Sequence, residues 1–191
     1  MIITLSGAPG SGKSTVGRLV EGALNLNRYS MGDLRRHLAQ ERGMTIDAWN
    51  TLGETSDETD VPVDEHQRTL GKQEDNFIID GRISWYFIPH SFKVFLDVDP
   101  DEGARRMFAH SKEGARTSEK PYTSAEEVRH QAAKRSASDN VRYEKYYGIH
   151  WDDKSRFDLV LDTTAVSPED VAERVIKAAK AWESSQKSSQ V

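Results

Sequence analysis

The sequence predicts an α/β fold, a parallel sheet covered by helices. Two observations carry this. Short apolar runs alternate along the chain with segments of helical period, the order that successive βαβ units impose. The first run, residues 2–5, leads into Gly7-Ala-Pro-Gly-Ser-Gly-Lys-Ser14 and then into a helical stretch. That is the strand, loop and helix setting of G-x-x-x-x-G-K-[ST], the phosphate-binding P-loop.

The strands are the runs at 2–5, 77–79, 94–96 and 159–161, with a weaker signal at 28–30. Between them, Val16, Leu19, Val20, Ala23 and Leu24 recur at helical spacing behind the loop. Asp99-Pro100, followed by Asp101 and Glu102, starts a helix. Ser124-Ala-Glu-Glu127 is a capping box that opens a long helix toward Tyr147. Ser167-Pro168 opens the last helix, which carries Val171, Val175, Ala178, Ala179 and Trp182. Residues 184–191, rich in Ser and Gln, are expected to form a frayed, disordered tail. Residues 111–122 are almost free of apolar side chains and carry Lys112, Arg116 and Lys120. They fit either a solvated surface loop or a lid that closes over phosphates.

The length of 191 residues suits a single domain over 1–183 with a full core. The absence of cysteine excludes disulfides, zinc–thiolate sites and thiol nucleophiles. The six histidines are scattered, with no pair at metal-ligand spacing. A net charge of −5 argues against a nucleic-acid-binding surface. No apolar run approaches membrane-spanning length, and a strand that begins at residue 2 leaves no room for a secretion signal. The expectation is a cytoplasmic monomer whose partners are small molecules, with neither membrane nor nucleic acid among them.

The loop residues Gly7, Ala8, Pro9, Gly10, Ser11, Gly12, Lys13, Ser14 and Thr15 form the candidate nucleotide cradle. Their N–H groups and the helix behind them suit phosphate oxygens. Lys13 would bring positive charge to the β- and γ-phosphates, and Ser14 a hydroxyl to Mg²⁺. Asp80 closes the strand at 77–79, on the sheet edge that faces the ligand crevice in open α/β folds. There it could hold Mg²⁺ through a water, with Arg82 beside it. In Ser30-Met-Gly-Asp33-Leu-Arg35-Arg36, Gly32 marks a turn before the next helix. Asp33 could order Mg²⁺ waters or act as a base, and Arg35 could grip an acceptor phosphate bidentately. Arg135 and Arg142, seven residues apart, share a helix face with slight drift and suggest a clamp on the transferring phosphate. Asp60 and Asp64 fall four apart on one helical face. Trp49, Trp85, Tyr86 and Phe87 read as core.

Taken in order, these clusters resemble the cytidylate kinases, in the compact archaeal-type form, from residue 1 to 176. The resemblance rests on GAPGSGKST, SMGDLRR, ERGMTIDAWN, DVPVDEHQR, IIDGR, KRSASDNVRYEKYYGIH and DLVLDTTAVSPEDV. It implies the three-layer P-loop NTPase fold with a central parallel sheet of about five strands. It also implies a helical acceptor-binding region near 31–73 and a lid near 111–122. ATP and Mg²⁺ would be the cofactors and CMP or dCMP the acceptor. By the same resemblance Lys13 and Ser14 handle ATP and Mg²⁺, and Asp33 and Asp80 order Mg²⁺. Arg35, Arg82, Arg135 and Arg142 contact phosphates, while Asp64 and the region of Arg82 read the cytosine edge. Lys13, Asp80, Arg135 and Arg142 stand as the catalytic set. Segment 111–123 is longer and more basic than the short form. Adenylate kinase and shikimate-type kinases share parts of the pattern, the latter with Asp33 as base. A non-catalytic ATP-binding switch or assembly factor is the alternative from another class; a pure binder needs no arginine clamp.

Overall fold

The computed structural model describes residues 1–112 and 122–188. Five strands, β1 (Ile2–Gly7), β2 (Asn27–Ser30), β3 (Phe77–Asp80), β4 (Phe92–Asp97) and β5 (Leu159–Asp162), form one sheet in the order β2-β3-β1-β4-β5. Every pairing is parallel. All C-terminal strand ends therefore lie on one edge, where Gly7, Ser30, Asp80, Asp97 and Asp162 come together. Among the described residues the helices are α1 (Lys13–Leu24), α2 (Met31–Glu41), α3 (Ile46–Gly53), α4 (Val61–Gln73), α5 (Ser84–Phe87), α6 (Pro100–Lys112), α7 (Ala125–Tyr147) and α8 (Pro168–Ser188).

The sheet is covered on both faces, which is why β1 and β3 are buried along their whole length. Ile3, Leu5, Val94 and Leu96 pack on Val16 and Val20 of α1 and on Val171 and Val175 of α8. On the other face Ile2, Phe77 and Ile79 meet Met31, Val63, Leu70 and Ile88. Phe95 lies with Ile83, Tyr143 and Trp151. Each fully buried side chain of this size contributes about 1.5–3 kcal/mol, so the sheet and its two helix layers form the rigid base for the strand-end edge.

The five-strand parallel sheet agrees with the sequence reading, and the weak run at 28–30 is a true edge strand. Gly32 lies within the first turn of α2 instead of in a turn ahead of it. The helix starts one residue earlier because the Ser30 hydroxyl accepts from Asp33 N at 3.4 Å and caps it. The capping box of α7 reaches one residue further back than its usual form: Ser124 Oγ accepts from Glu127 N, while Glu127 accepts from the Thr123 N–H and hydroxyl. Residues 184–188 of the expected tail are helical. Helix α8 runs through Ser188, with the hydroxyls of Ser184, Ser185 and Ser188 donating to carbonyls three or four residues back. Most of the expected lid, residues 113–121, and the last residues, 189–191, lie outside the described residues. No described helix is long and apolar enough to cross a membrane.

The glycine loop is set against α6. Gly10 has φ 77°, and a methyl there would stand 2.3 Å from the Gly103 carbonyl oxygen. Gly10→Ala is accordingly expected to lower stability by about 1–3 kcal/mol through backbone strain and clash. Urea unfolding should show a lower midpoint at unchanged slope; an unaltered midpoint would mean the loop does not rest on α6.

Candidate active site

The loop between β1 and α1 is held from three sides. Ala8 N donates to Leu96 O of β4 at 3.0 Å. Thr163 Oγ1, beyond β5, donates to Ser11 O at 3.2 Å. Gly12, at φ 86°, occupies the N-cap of α1, and Thr15 N and Val16 N donate to its carbonyl. Ser14 and Thr15 are exposed at the helix start, where backbone N–H groups and the helix dipole favour an anion. The Lys13 ammonium folds over the loop and donates to Gly7 O at 2.8 Å and Ala8 O at 3.0 Å.

Register sets Asp80 beside Leu5 of β1 and Ser30 of β2. The Ser30 hydroxyl donates to Asp80 Oδ1 at 2.9 Å and the Arg28 guanidinium to Oδ2 at 3.2 Å. Burial pushes this carboxyl above its ordinary value, against the pull of Ser30, Lys13 and Arg28. Just beyond it, the Ser6 hydroxyl donates to the carbonyls of Gly81 and Arg82 at 2.7 and 3.0 Å, which fixes the turn. Arg82 thereby reaches the loop. Its guanidinium donates to Gly7 O and to Asp139 Oδ2, both at 2.9 Å, and lies 4.0 Å over the Trp151 ring. Lys13 and Arg82 thus meet at Gly7 O, and the charge of Lys13 is felt at Asp80.

The other predicted arginines are placed differently. Arg142 is fully buried: it donates to both oxygens of Asp60, with Oδ2 at 2.7 Å, and to Asp139. Arg35, also buried, donates to the same Asp60 carboxylate, to Thr59 O at 3.3 Å and to Asn50 Oδ1 at 3.1 Å. Gly53 packs directly on this cluster, where a methyl would meet Arg142 Cδ at 2.9 Å. Arg135 is half-buried and Arg142 has no exposed surface, so the two do not form one open clamp: the drift along α7 turns Arg142 inward, toward Asp60. Burial pushes the Asp139 carboxyl up, but Arg82, Arg142, Arg135 and Arg35 outweigh it and hold it below its usual value. Asp33 is exposed and bound by Arg36. Partial burial opposes its charge, yet Arg36, Ser30 and Arg28 prevail and keep the carboxyl low. Asp64 is buried and takes hydrogen bonds from Tyr147 and Gln67. Trp49 and Trp85 are core as expected, whereas Tyr86 is exposed and Phe87 half-buried.

Sequence reasoning did not single out Asp139, nor Arg28 and Ser30 as the partners of Asp80. Asp139 stands four residues after Arg135 and three before Arg142, neighbours on a helix surface, and that spacing was available in the sequence.

Residues 2–165 match the Cytidylate kinase-like family. The chain belongs to this family. A cytidylate kinase of Archaeoglobus fulgidus is 32% identical over 179 residues, which span 93% of this chain and 94% of that protein. Among solved structures, an uncharacterized protein from Eubacterium ventriosum superposes with TM-score 0.68 at 18% identity, covering 94% of this chain and 98% of the other. Shikimate kinase from Bacteroides thetaiotaomicron gives 0.60 at 15% identity, covering 93% and 97%. These two likenesses are of fold alone, and the second is to a kinase of known fold.

Asp60→Asn leaves Arg35 and Arg142 buried with too little negative charge. It is expected to cost about 3–5 kcal/mol of stability. Arg36→Met, which breaks the more exposed pair with Asp33, should cost about 1 kcal/mol or less. Chemical denaturation of both variants measures the difference, and equal costs would show that the Asp60 cluster is not a buried ion pair.

Proposed function

We propose that the protein transfers the γ-phosphate of ATP to CMP or dCMP, giving ADP and the nucleoside diphosphate. The observation that carries this reading is the convergence of Lys13 and Arg82 on the P-loop carbonyl Gly7 O, within a chain of the cytidylate kinase-like family. Transfer between two phosphates needs charge neutralisation and positioning more than proton abstraction, because the acceptor is already an oxyanion. The site is rich in cations and poor in bases: Asp33 is held in its ionised form by Arg36, and Asp80 is bound by Ser30 and Arg28. A hydroxyl acceptor would ask for a base, and this favours the monophosphate over the shikimate-type alternative.

In this reading Lys13 grips the β- and γ-phosphates, Arg82 the region between donor and acceptor, and Arg135 the transferring group. Arg35 and Arg142, both buried and bound to Asp60, hold the acceptor-side helices in place behind them. The donor set fits Mg²⁺, a hard cation that keeps several waters and takes few protein ligands. Ser14 offers an exposed hydroxyl, and Asp80 and Asp33 offer carboxylates near enough to influence each other. No cluster of three or more metal-binding side chains occurs among the described residues, consistent with an ion carried largely by phosphates. When bound, Mg²⁺ supplies neutralisation of phosphate charge.

A coupled ADP-release assay with ATP and Mg²⁺ against CMP, dCMP, UMP, AMP, GMP and shikimate should show a preference for CMP or dCMP. Preference for AMP or shikimate would overturn the acceptor assignment, and ATP binding without acceptor-dependent release would favour a switch or assembly factor. Lys13→Ala should lower turnover by about a hundredfold or more. Arg135→Ala should lower kcat more than it raises KM; an unchanged rate would remove either residue from the chemistry.

A further inference from the structure

Arg82 is held by more than its two hydrogen bonds. Its Nε donates to Asp139 Oδ2 and its Nη1 to Gly7 O, both at 2.9 Å. The N–H groups of a guanidinium lie in its plane. The two bonds therefore fix how the group is turned within that plane, and they leave the plane able to hinge about the line that joins the two acceptors. The indole of Trp151 closes this last freedom. Arg82 Cζ stands over its face, 4.0 Å from the ring centroid. Among the described residues this is the closest approach of a cation to an aromatic ring. Nη2 of Arg82 has no hydrogen-bond partner among the described residues, so donors remain for a ligand.

The ring is itself fixed. Trp151 is 3% exposed and lies in one cluster with Ile83, Phe95 and Tyr143. Its Nε1 donates to Ser136 O of α7 at 3.4 Å. The Phe95 ring of β4 is nearly parallel to it, with an interplanar angle of 24° and centroids 6.1 Å apart. Gly148, at φ 66°, ends α7 in the left-handed conformation. The chain then folds back, so that Trp151 meets the helix at the turn before Asp139. Helix α7 thus reaches Arg82 twice, through Asp139 within it and through Trp151 beyond its end. An aliphatic side chain would fill the same space, but it would not present a negative ring face. Burial and the charge of Arg135 act against the Arg82 cation, while Asp139 supports it. A ring face against a desolvated guanidinium replaces part of the lost hydration.

We propose that Trp151 is a positioning residue for phosphate transfer: its indole face fixes the plane of the Arg82 guanidinium, so that the remaining N–H groups meet the phosphates in one orientation. This rests on the kinase reading above, in which Arg82 acts between donor and acceptor. A cation oriented before the phosphates arrive needs no reorganisation during transfer, and small errors of placement at a reacting centre are costly in rate. Trp151 touches no phosphate in this role and acts through Arg82 alone. Its loss therefore lowers kcat and leaves the KM for ATP, which the glycine loop and Lys13 set.

Replacing Trp151 alone by mono-, di- and trifluorotryptophan tests this, because fluorine weakens the negative ring face while nearly keeping its shape. The kcat for CMP is expected to fall stepwise, by about tenfold over the series, with the KM for ATP unchanged. Trp151→Phe keeps a ring face and should retain most of kcat. Trp151→Leu fills the space without one and should lose about tenfold or more. Arg82→Lys keeps the charge but has no plane to orient, so in that background Trp151→Leu should have no further effect on kcat. CMP turnover that stays flat across the fluorinated series, or a Leu effect of equal size in both backgrounds, would overturn this inference and leave the kinase reading standing. No acceptor-dependent turnover by the wild-type protein would remove both.

Discussion

The Asp60 carboxylate, shared between Arg35 and Arg142, is the interaction on which the acceptor side of this protein depends. Asp60 precedes α4, Arg35 comes from α2 and Arg142 from α7, and all three are buried. Taking such charges out of water costs several kcal/mol each, and only close pairing offsets it. The structure meets that demand by alternating sign. Arg35 binds Asp60, Asp60 binds Arg142, Arg142 binds Asp139, and Asp139 binds Arg82, which ends on the P-loop carbonyl Gly7 O. A chain of this kind polarises along its length and has few alternative arrangements of similar energy. It therefore sets the distance between the helices that would receive the acceptor and the loop that would hold the donor.

This division of labour explains why two kinds of arginine occur. Arg82 stands at the loop mouth with the half-buried Arg135 nearby, where the charge of Arg135 is felt by both Arg82 and Asp139. Arg35 and Arg142 form the frame behind them. A reaction between two anions gains most from cations that are already oriented, because no reorganisation is then needed during transfer. The low carboxyl of Asp33 fits the same logic, since Arg36, Ser30 and Arg28 make it a poor base.

Much of the fold was legible in the sequence because its signals are local. The apolar runs, the glycine loop and the Pro and Ser helix starts each act within a few residues, and they marked the buried strands and the long helices. Strand β2 was faint because it is an edge strand with no fully buried residue; its existence depends on pairing with β3. The C-terminal segment read as a tail by composition, yet the helix continues, with Trp182 packed 5.7 Å from Phe92 and the serine hydroxyls turned back on its own carbonyls. At the site, Lys13, Asp80 and Arg82 were legible because motif and strand end place them. Arg142 was not, because seven-residue spacing assigns a shared face without saying what that face meets. Its partner Asp60 lies 82 residues away in sequence, a distance that only the packed structure closes.

Hydrogen–deuterium exchange of Arg142→Met against wild type tests the framing role of this chain most directly. Loss of the guanidinium should release the amides of α2, α3 and α4 to fast exchange while those of β1, β3 and β4 keep their protection. Unchanged protection in α2 to α4, or an equal loss across the sheet, would contradict the account.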